Sequence, residues 1–374
     1  MERLKIRNFL NIKEADFDVK RLNFIIGPQS CGKSIIAKLI YFFRMCYCLE
    51  SYIRPDNAAP FREQAVSTFK EYFPPYTWID QEFEMSYTID KLEASLVYNV
   101  NDNPPINLKW VSNLKSLSLQ TVFIPAGRLF FAGFVQNNIF SLLANKIPLD
   151  PFIEKFGSYY EQARTEYVKY ESQLLLASQK DEVREKIKTL AESVIGGKYK
   201  YENGQDWIEQ KSGKIRLSDA SSGQQEALHL LLILSTLPFF YNDKSSYFFI
   251  EEPEAHLFPV SQKHIMSLIG ILYNKTPHSF VITTHSPYTL TSVNNMIMAY
   301  EVSQSKGKEK VGKIIDLDCL INYEDVSAYT INENGVLESI MDDETNLIGA
   351  NMIDSAFDEF GDSFESLIDV QLSK

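Results

Sequence analysis

A mixed α/β fold with an antiparallel β subdomain and a helical insert is predicted by three features of the 374-residue sequence. Residues 83–100 and 106–111 alternate apolar and polar side chains (Phe83, Met85, Tyr87, Ile89; Leu96, Tyr98, Val100), as a small antiparallel sheet does. Residues 149–195 instead carry two apolar stripes at 3–4 spacing, one through Phe152, Phe156, Tyr159, Ala163, Tyr167, Tyr170 and Leu174, the other through Val183, Ile187, Leu190 and Val194. That spacing predicts a helical hairpin. From Leu217 onward loop, helix, strand, helix and strand succeed one another in α/β fashion.

Residues 1–26 read as two short strands and a third, apolar one. A helix is expected over 34–53, with a stripe through Ile35, Leu39, Phe42 and Phe43. A Pro/Asn-rich break at 55–60 precedes a helix over 60–72, and 121–125 reads as a buried strand leading into Ala126-Gly127-Arg128. Gly196-Gly197 closes the helical insert, and residues 199–213 read as a hairpin turning at Asn203-Gly204. Then follow a helix at 223–237, a strand at 247–250, a helix at 260–273 and a strand at 279–284. Two further strands are expected at 296–302 and 312–317. Ile353, Phe357, Phe360, Phe364 and Leu367, with acids on the other faces, predict a short acidic amphipathic helix that either packs on its own domain or docks a basic partner. The chain thus divides into an N-terminal lobe (1–54), a β-rich and linker insert (55–148), a helical insert (149–198), a C-terminal lobe (199–318) and an acidic helical segment (319–374).

Composition narrows the function classes. Hydrophobic content of 45% and charged content of 23% are those of an ordinary globular protein. The longest apolar stretches are interrupted by Lys38, Arg44 and Ser235, so no membrane span is expected, and without a signal-peptide layout cytoplasmic residence is the expectation. Four cysteines without a C-x-x-C pair argue against a disulfide framework or a zinc site. The net charge of −12 is concentrated in residues 337–374, where ten acids face one Lys, so the body is nearly neutral and shows no basic cluster for nucleic acid.

The chemistry starts at residues 22–34, where an apolar strand runs into Gly-Pro-Gln-Ser-Cys-Gly-Lys-Ser. Gly27, Gly32, Lys33 and Ser34 stand at the P-loop spacing G-x-x-x-x-G-K-[ST]. Glycines let backbone N–H groups turn onto phosphates, Lys33 supplies a point charge, Ser34 offers a hydroxyl to Mg²⁺, and the following helix aims its positive end at the anion. Gly27, Pro28, Gln29, Ser30, Cys31, Gly32, Lys33, Ser34 and Ile35 are therefore the expected triphosphate cradle. Cys31 serves there as a small side chain or as a low-pKa thiol.

Three further stretches follow in order. Tyr247–Ile250 is an apolar strand ending in Glu251-Glu252, the layout of a Walker B segment. Glu251 would hold the Mg²⁺ shell, and Glu252 would orient and deprotonate the attacking water. Ser221, Ser222, Gly223 and Gln224 open an apolar helix, either as an anion site or as an ordinary N-cap. Finally, residues 281–284 form an apolar strand that delivers His285 at its C-terminal end, where open α/β sheets place ligands.

On the stretches LKIRNFLNI…LNFIIGPQSCGKS, FIPAGR, SDASSGQQEAL, FFIEEPEAHLFP and VITTHSPYTL, the chain resembles ABC-type ATPase heads of SMC-like proteins. More narrowly it resembles bacterial OLD-like (overcoming lysogenization defect) ATPases, whose Glu at the Walker B metal position Glu251 shares. The resemblance implies a P-loop NTPase of ABC-head type that hydrolyses ATP with Mg²⁺. It also implies that Ser221 and Gly223 form a signature loop touching the γ-phosphate held by a second subunit, that His285 is a switch histidine, and that the base rests near residues 6–12. The family's Q-loop glutamine has no match: Pro125-Ala126-Gly127-Arg128 stands there, with Arg128 either facing a phosphate or partner or forming a structural salt bridge, and Gln136 a weaker substitute. Asp316-Leu317-Asp318 mimics part of a Toprim metal site, but no Toprim nuclease domain is expected. The resulting expectation is a homodimer or higher homo-oligomer that regulates a separately encoded nuclease or toxin in anti-phage defence, with a DNA-binding repair ATPase as the alternative.

Overall fold

The computed structural model describes residues 2–50, 58–90, 92–111, 120–129, 149–174, 181–241 and 245–349. Its first sheet is antiparallel. β1 (Glu2–Phe9) and β2 (Ile12–Val19) pair as a hairpin, β1 continues to β4 (Phe83–Ile89), then to β5 (Leu92–Tyr98) and β6 (Ile106–Val111). Period-two patterning sets its register: Leu4, Ile6, Phe17, Met85 and Leu96 all point to the buried face.

The second sheet carries the chemistry. β3 (Leu22–Ile26), β7 (Gln120–Ile124), β11 (Ser246–Glu251), β12 (Ser279–Thr284) and β13 (Val326–Ile331) run parallel in the order β13-β3-β12-β11-β7, and β14 (Leu337–Ser339) adds antiparallel to β13. Strands covered on both faces lose alternation and become continuously apolar. β3 and β12 are accordingly buried at every residue. Their side chains nonetheless divide: Phe24, Phe248, Phe280 and Ala328 join the core on one side, Ile25, Phe249, Val281 and Tyr329 the core on the other.

On the latter side lie the antiparallel sheet, α1 (Lys33–Glu50) and α2 (Ala58–Tyr72). Because α1 sits between two sheets it is apolar nearly all round, and Tyr41 packs within 5.4–5.6 Å of the Phe123, Phe249 and Phe152 rings. On the other side lie α3 (Pro151–Leu174), α4 (Glu182–Ile195), α5 (Ser222–Phe240), α6 (Pro259–Lys275) and α7 (Pro287–Lys306). A small sheet of β8 (Lys198–Glu202), β9 (Gln205–Gln210) and β10 (Gly213–Arg216) follows α4. The mixed sheet, antiparallel subdomain and helical insert are as expected. The hairpin turns at Asn203-Gly204, both at positive φ, and gains a third strand.

Two expected strands are absent. Residues 296–302 belong to α7, whose start is set by Ser286 accepting the Tyr288 N–H at 3.2 Å and by Pro287 at the first helical position. Its buried side, Leu290, Val293, Met296 and Ile297, keeps helical spacing through the stretch that resembles a strand. Residues 312–317 form turns after a short helix, Lys308–Val311, and lead into a 3₁₀ turn, Leu317–Cys319. Conversely β13, within the segment expected to be helical, lies in the central sheet beside β3. The acidic helix expected at 353–367 and Gln136 lie outside the described residues. No helix among the described residues is long and apolar enough to cross a membrane.

Among the described residues, two histidine rings are buried on the helical side, His229 and His278. His229 of α5 lies 4.7 Å from the Tyr160 ring, its Nδ1–H donates to Gln225 O at 2.5 Å, and burial pushes its pKa down to about 4. Unfolded histidine titrates near 6.5, so between those values the unfolded chain binds the proton and the native chain does not. Stability is therefore expected to fall on acidification through this window, by about 3 kcal/mol for this group. Urea unfolding at pH 7 and pH 4.5 checks it: His229→Gln should lose less stability between the two than wild type.

Candidate nucleotide site

The parallel strands end on one edge, where the P-loop, Glu251-Glu252 and His285 gather. β3 passes into the loop at Gly27, β11 ends at Glu251, and β12, between them, ends beside His285. The loop backbone uses conformations open mainly to glycine, with φ of 155° at Gly27 and 110° at Gly32. A Cβ on Gly27 would also stand 3.1 Å from Cys31 Sγ, so Cys31 acts as the small side chain that fits against it. Asn11 Nδ2 donates to Ser30 O at 2.6 Å and pins the loop to the β1–β2 turn.

Lys33 uses all three of its N–H groups. Nζ donates to Gly27 O at 2.8 Å, to Pro28 O at 2.6 Å and to His285 Nδ1 at 3.2 Å. An ammonium cannot accept, so Nδ1 is the acceptor and His285 carries its proton on Nε2. That Nε2–H then donates to Glu252 Oε1 at 2.7 Å. Lysine, histidine and carboxylate thus form one chain. Burial lowers the Lys33 pKa from its ordinary value, opposed by Cys31, Glu252 and Glu254.

Glu252 has φ of +44°, a left-handed conformation that costs a non-glycine residue roughly 1–2 kcal/mol. Its backbone is held on both sides: Glu252 N donates to Thr283 O at 2.9 Å, and Arg128 donates to Glu252 O at 2.8 Å. Glu254, to which the sequence motifs assign no role, accepts the Thr284 hydroxyl at 2.7 Å and the His285 N–H at 2.6 Å through Oε1, and so fixes where His285 leaves the strand. The three acids have separate partners.

Glu251 accepts the Ala126 N–H through Oε2 at 3.1 Å, while its Oε1 is buried with no hydrogen-bond partner. Its register neighbour on β12, Thr283, has an unpartnered buried hydroxyl as well. Buried oxygens are normally satisfied, so an unmet acceptor at this strand end suits a hydrated hard cation. The unmet Glu251 oxygen is a donor of the kind Mg²⁺ takes, and Ser34 at the start of α1 carries a hydroxyl of the same hard-oxygen type.

Beside the loop opens a cleft of about 620 Å³, lined by Leu10, Asn11, Ser34, Ile35, Lys38, Tyr72, Phe73, Pro74, Thr77 and Gln81. Of the stretch 6–12 only the turn faces it; Ile6 and Ile12 are buried in the core, because strand alternation turns them inward. The 72–81 wall is remote in sequence from every motif. A hint was available in Pro74-Pro75 punctuating an aromatic run.

Ser221 caps α5 in a reciprocal capping box: Gln224 N donates to Ser221 Oγ at 3.4 Å and Ser221 N donates to Gln224 Oε1 at 3.2 Å. Gln224 Nε2 donates to Ile195 O at 2.7 Å. Among the described residues, the side-chain hydrogen bonds of Ser221 and Gln224 run to each other and to α4, none to the P-loop. Asp316 and Asp318 pair with Lys186 at 3.0 and 2.5 Å, and Lys275 adds 2.6 Å to Asp318, so they form a surface ion cluster.

Arg128 is settled by burial. Its side chain is 1% exposed, it ion-pairs with Glu226 of α5 at 3.2 Å, and it donates to Pro125 O and Glu251 O at 2.9 and 2.6 Å. Burial pulls its pKa down, and Glu226 is the first of four carboxylates to oppose that. It is the structural salt bridge, not a phosphate contact.

Residues 161–290 match the family model of an AAA ATPase domain. The matched span covers Ser221–Gln224, Glu251-Glu252 and His285 and starts after the P-loop. Among solved structures the chain is similar to an Smc head bound to the C-winged helix domain of ScpA (10% identity, 90% of this chain and 96% of that one, TM-score 0.46). It is similar also to the SMC head domain from Thermotoga maritima (12% identity, 90% and 97%, TM-score 0.38). A third similar structure is that of the recombination mediator protein RecF-ATPrS in the RecFOR pathway (12% identity, 90% and 97%, TM-score 0.39). A search of curated proteins gave no match.

Proposed function

We propose that the chain is an ABC-type ATPase subunit that binds Mg·ATP at residues 27–35 and hydrolyses it in a homodimer. The observation that carries the reading is the chain Lys33–His285–Glu252, which ties the phosphate-binding lysine to the carboxylate suited to activate water. Lys33 would exchange a carbonyl contact for a phosphate oxygen, the cleft beside Tyr72 would take the base, and Glu252 would accept the proton of the attacking water. Mg²⁺, held by Ser34 and Glu251, would offset phosphate charge.

Dimerisation is supported by what surrounds the site. Phe258, Val260 and Tyr288 are 75, 56 and 46% exposed at the starts of α6 and α7, which Ser286 Oγ ties together by donating to Gln262 at 2.6 Å. Apolar groups around a polar site suit a second copy whose Ser221–Gly223 would reach the phosphates. Sedimentation velocity with a non-hydrolysable ATP analogue tests this. Wild type is expected to dimerise, and Phe258→Asp to weaken the dimer about tenfold or more; an ATP-bound monomer at every concentration would rule the composite site out. From the OLD-like resemblance, we place the dimer as the cytoplasmic sensor of an anti-phage system that controls a separately encoded effector, a nuclease or toxin.

A further inference from the structure

The buried pair Arg128–Glu226 joins two parts of the molecule that the nucleotide reading treats separately. Glu226 is on the second turn of α5, the helix capped by Ser221, and is 3% exposed. Its two carboxylate oxygens divide their contacts: Oε2 pairs with Arg128 Nη2 at 3.2 Å, and Oε1 accepts the Leu129 N–H at 3.2 Å. The same guanidinium donates to the carbonyls of Glu251 and Glu252 at 2.6 and 2.8 Å. The Glu226 contact is an ion pair without a hydrogen bond, and the planar guanidinium it attracts holds its donors in a fixed fork, so a shift of the guanidinium reaches both carbonyls. Glu252, held in a left-handed backbone conformation, is the residue most sensitive to such a displacement.

We propose that Arg128 is a positioning residue that couples the start of α5 to the hydrolytic carboxylate: when a second copy engages Ser221–Gly223, the Glu226–Arg128 link carries the resulting shift of α5 to the Glu251-Glu252 backbone and sets Glu252 for attack. The inference rests on the reading of Glu252 as the base. It adds a route by which contact with the partner at one element governs chemistry at another. Arg128 acts through main-chain carbonyls and Glu226. Glu226 is the acid that a nearly all-apolar helix would otherwise exclude.

Three variants test the coupling in steady-state ATP hydrolysis by the full chain at dimer-forming concentration: Glu226→Gln, Arg128→Lys, and the double variant Arg128→Met with Glu226→Leu. The double variant removes both charges together, a replacement that folded cores tolerate better than loss of one partner. In each variant that unfolds cooperatively, kcat is expected to fall at least tenfold while KM for ATP stays within about threefold, because positioning of Glu252 is lost and the cradle at residues 27–35 is not. Binding of a fluorescent ATP analogue is expected to stay at the wild-type level. Wild-type kcat in the folded double variant would overturn the proposal, whatever its melting temperature. Glu252→Gln, run alongside, separates the two readings: if it alone keeps wild-type turnover, the base assignment fails, whereas loss there with full activity in the pair variants defeats only the coupling.

Discussion

Glu252→Gln is expected to lower the turnover of ATP by roughly 10²–10⁴-fold, the usual contribution of a general base. That corresponds to about 3–5 kcal/mol of barrier. Glutamine keeps the shape and an acceptor oxygen, so the His285 Nε2–H retains a partner where it now bonds Glu252 at 2.7 Å. The strained backbone at φ +44° is held by Arg128 and Thr283 through main-chain atoms, which the substitution leaves in place. Binding should therefore persist with affinity within about threefold of wild type, and the loss should be in kcat alone. Single-turnover hydrolysis with pre-bound Mg·ATP is the direct measurement. Retention of more than a tenth of wild-type turnover would remove Glu252 from the role of base and move attention to Glu254.

How far the site could be read from sequence depends on how local each part is. The P-loop, Glu251-Glu252 and His285 each follow a short apolar strand within a few residues, so pattern and neighbourhood coincide. The strand β13, by contrast, is six buried residues, Val-Ser-Ala-Tyr-Thr-Ile, in which Ser327 and Thr330 interrupt the apolar pattern, so neither a strand alternation nor a helical stripe stands out. Residues 296–302 failed for the opposite reason. They look like a strand, but the cap at Ser286 and the buried side beginning at Leu290 extend a helix through them. Charge and position alone leave Arg128 three roles, and its burial decides among them. Glu226 carries a signal legible in the sequence: α5 is apolar through most of its length, and an acid there demands a buried partner. The wall at 72–81 and the bond from Glu254 to the His285 N–H depend on chain segments meeting from far apart, which no local pattern records.

Gly223→Ala should show that the start of α5 matters by contact and not by conformation. Gly223 is not among the residues at positive φ, so alanine suits its backbone. Its Cβ, however, would stand 2.7 Å from His256 O and 3.6 Å from Leu257 Cδ2. The loop carrying that carbonyl can yield little: His256 has φ of 58°, and Leu257 N donates to Glu254 O at 3.0 Å. Overpacking of this kind costs about 1–3 kcal/mol, and the relief available is to move α5 away from the segment after Glu252. A displacement near 1 Å at a reacting group is enough to cost roughly 10²-fold in rate. The variant is therefore expected to bind ATP with wild-type affinity, because Lys33 and residues 27–32 are untouched, yet to lose at least tenfold in turnover. Lys33→Ala provides the contrast, since it should lose binding first. Urea unfolding, analogue binding and turnover measured on the same preparation distinguish the cases. A Gly223→Ala protein of unchanged stability and turnover would mean that the 256–257 segment relaxes freely, and that its close approach to α5 carries no function.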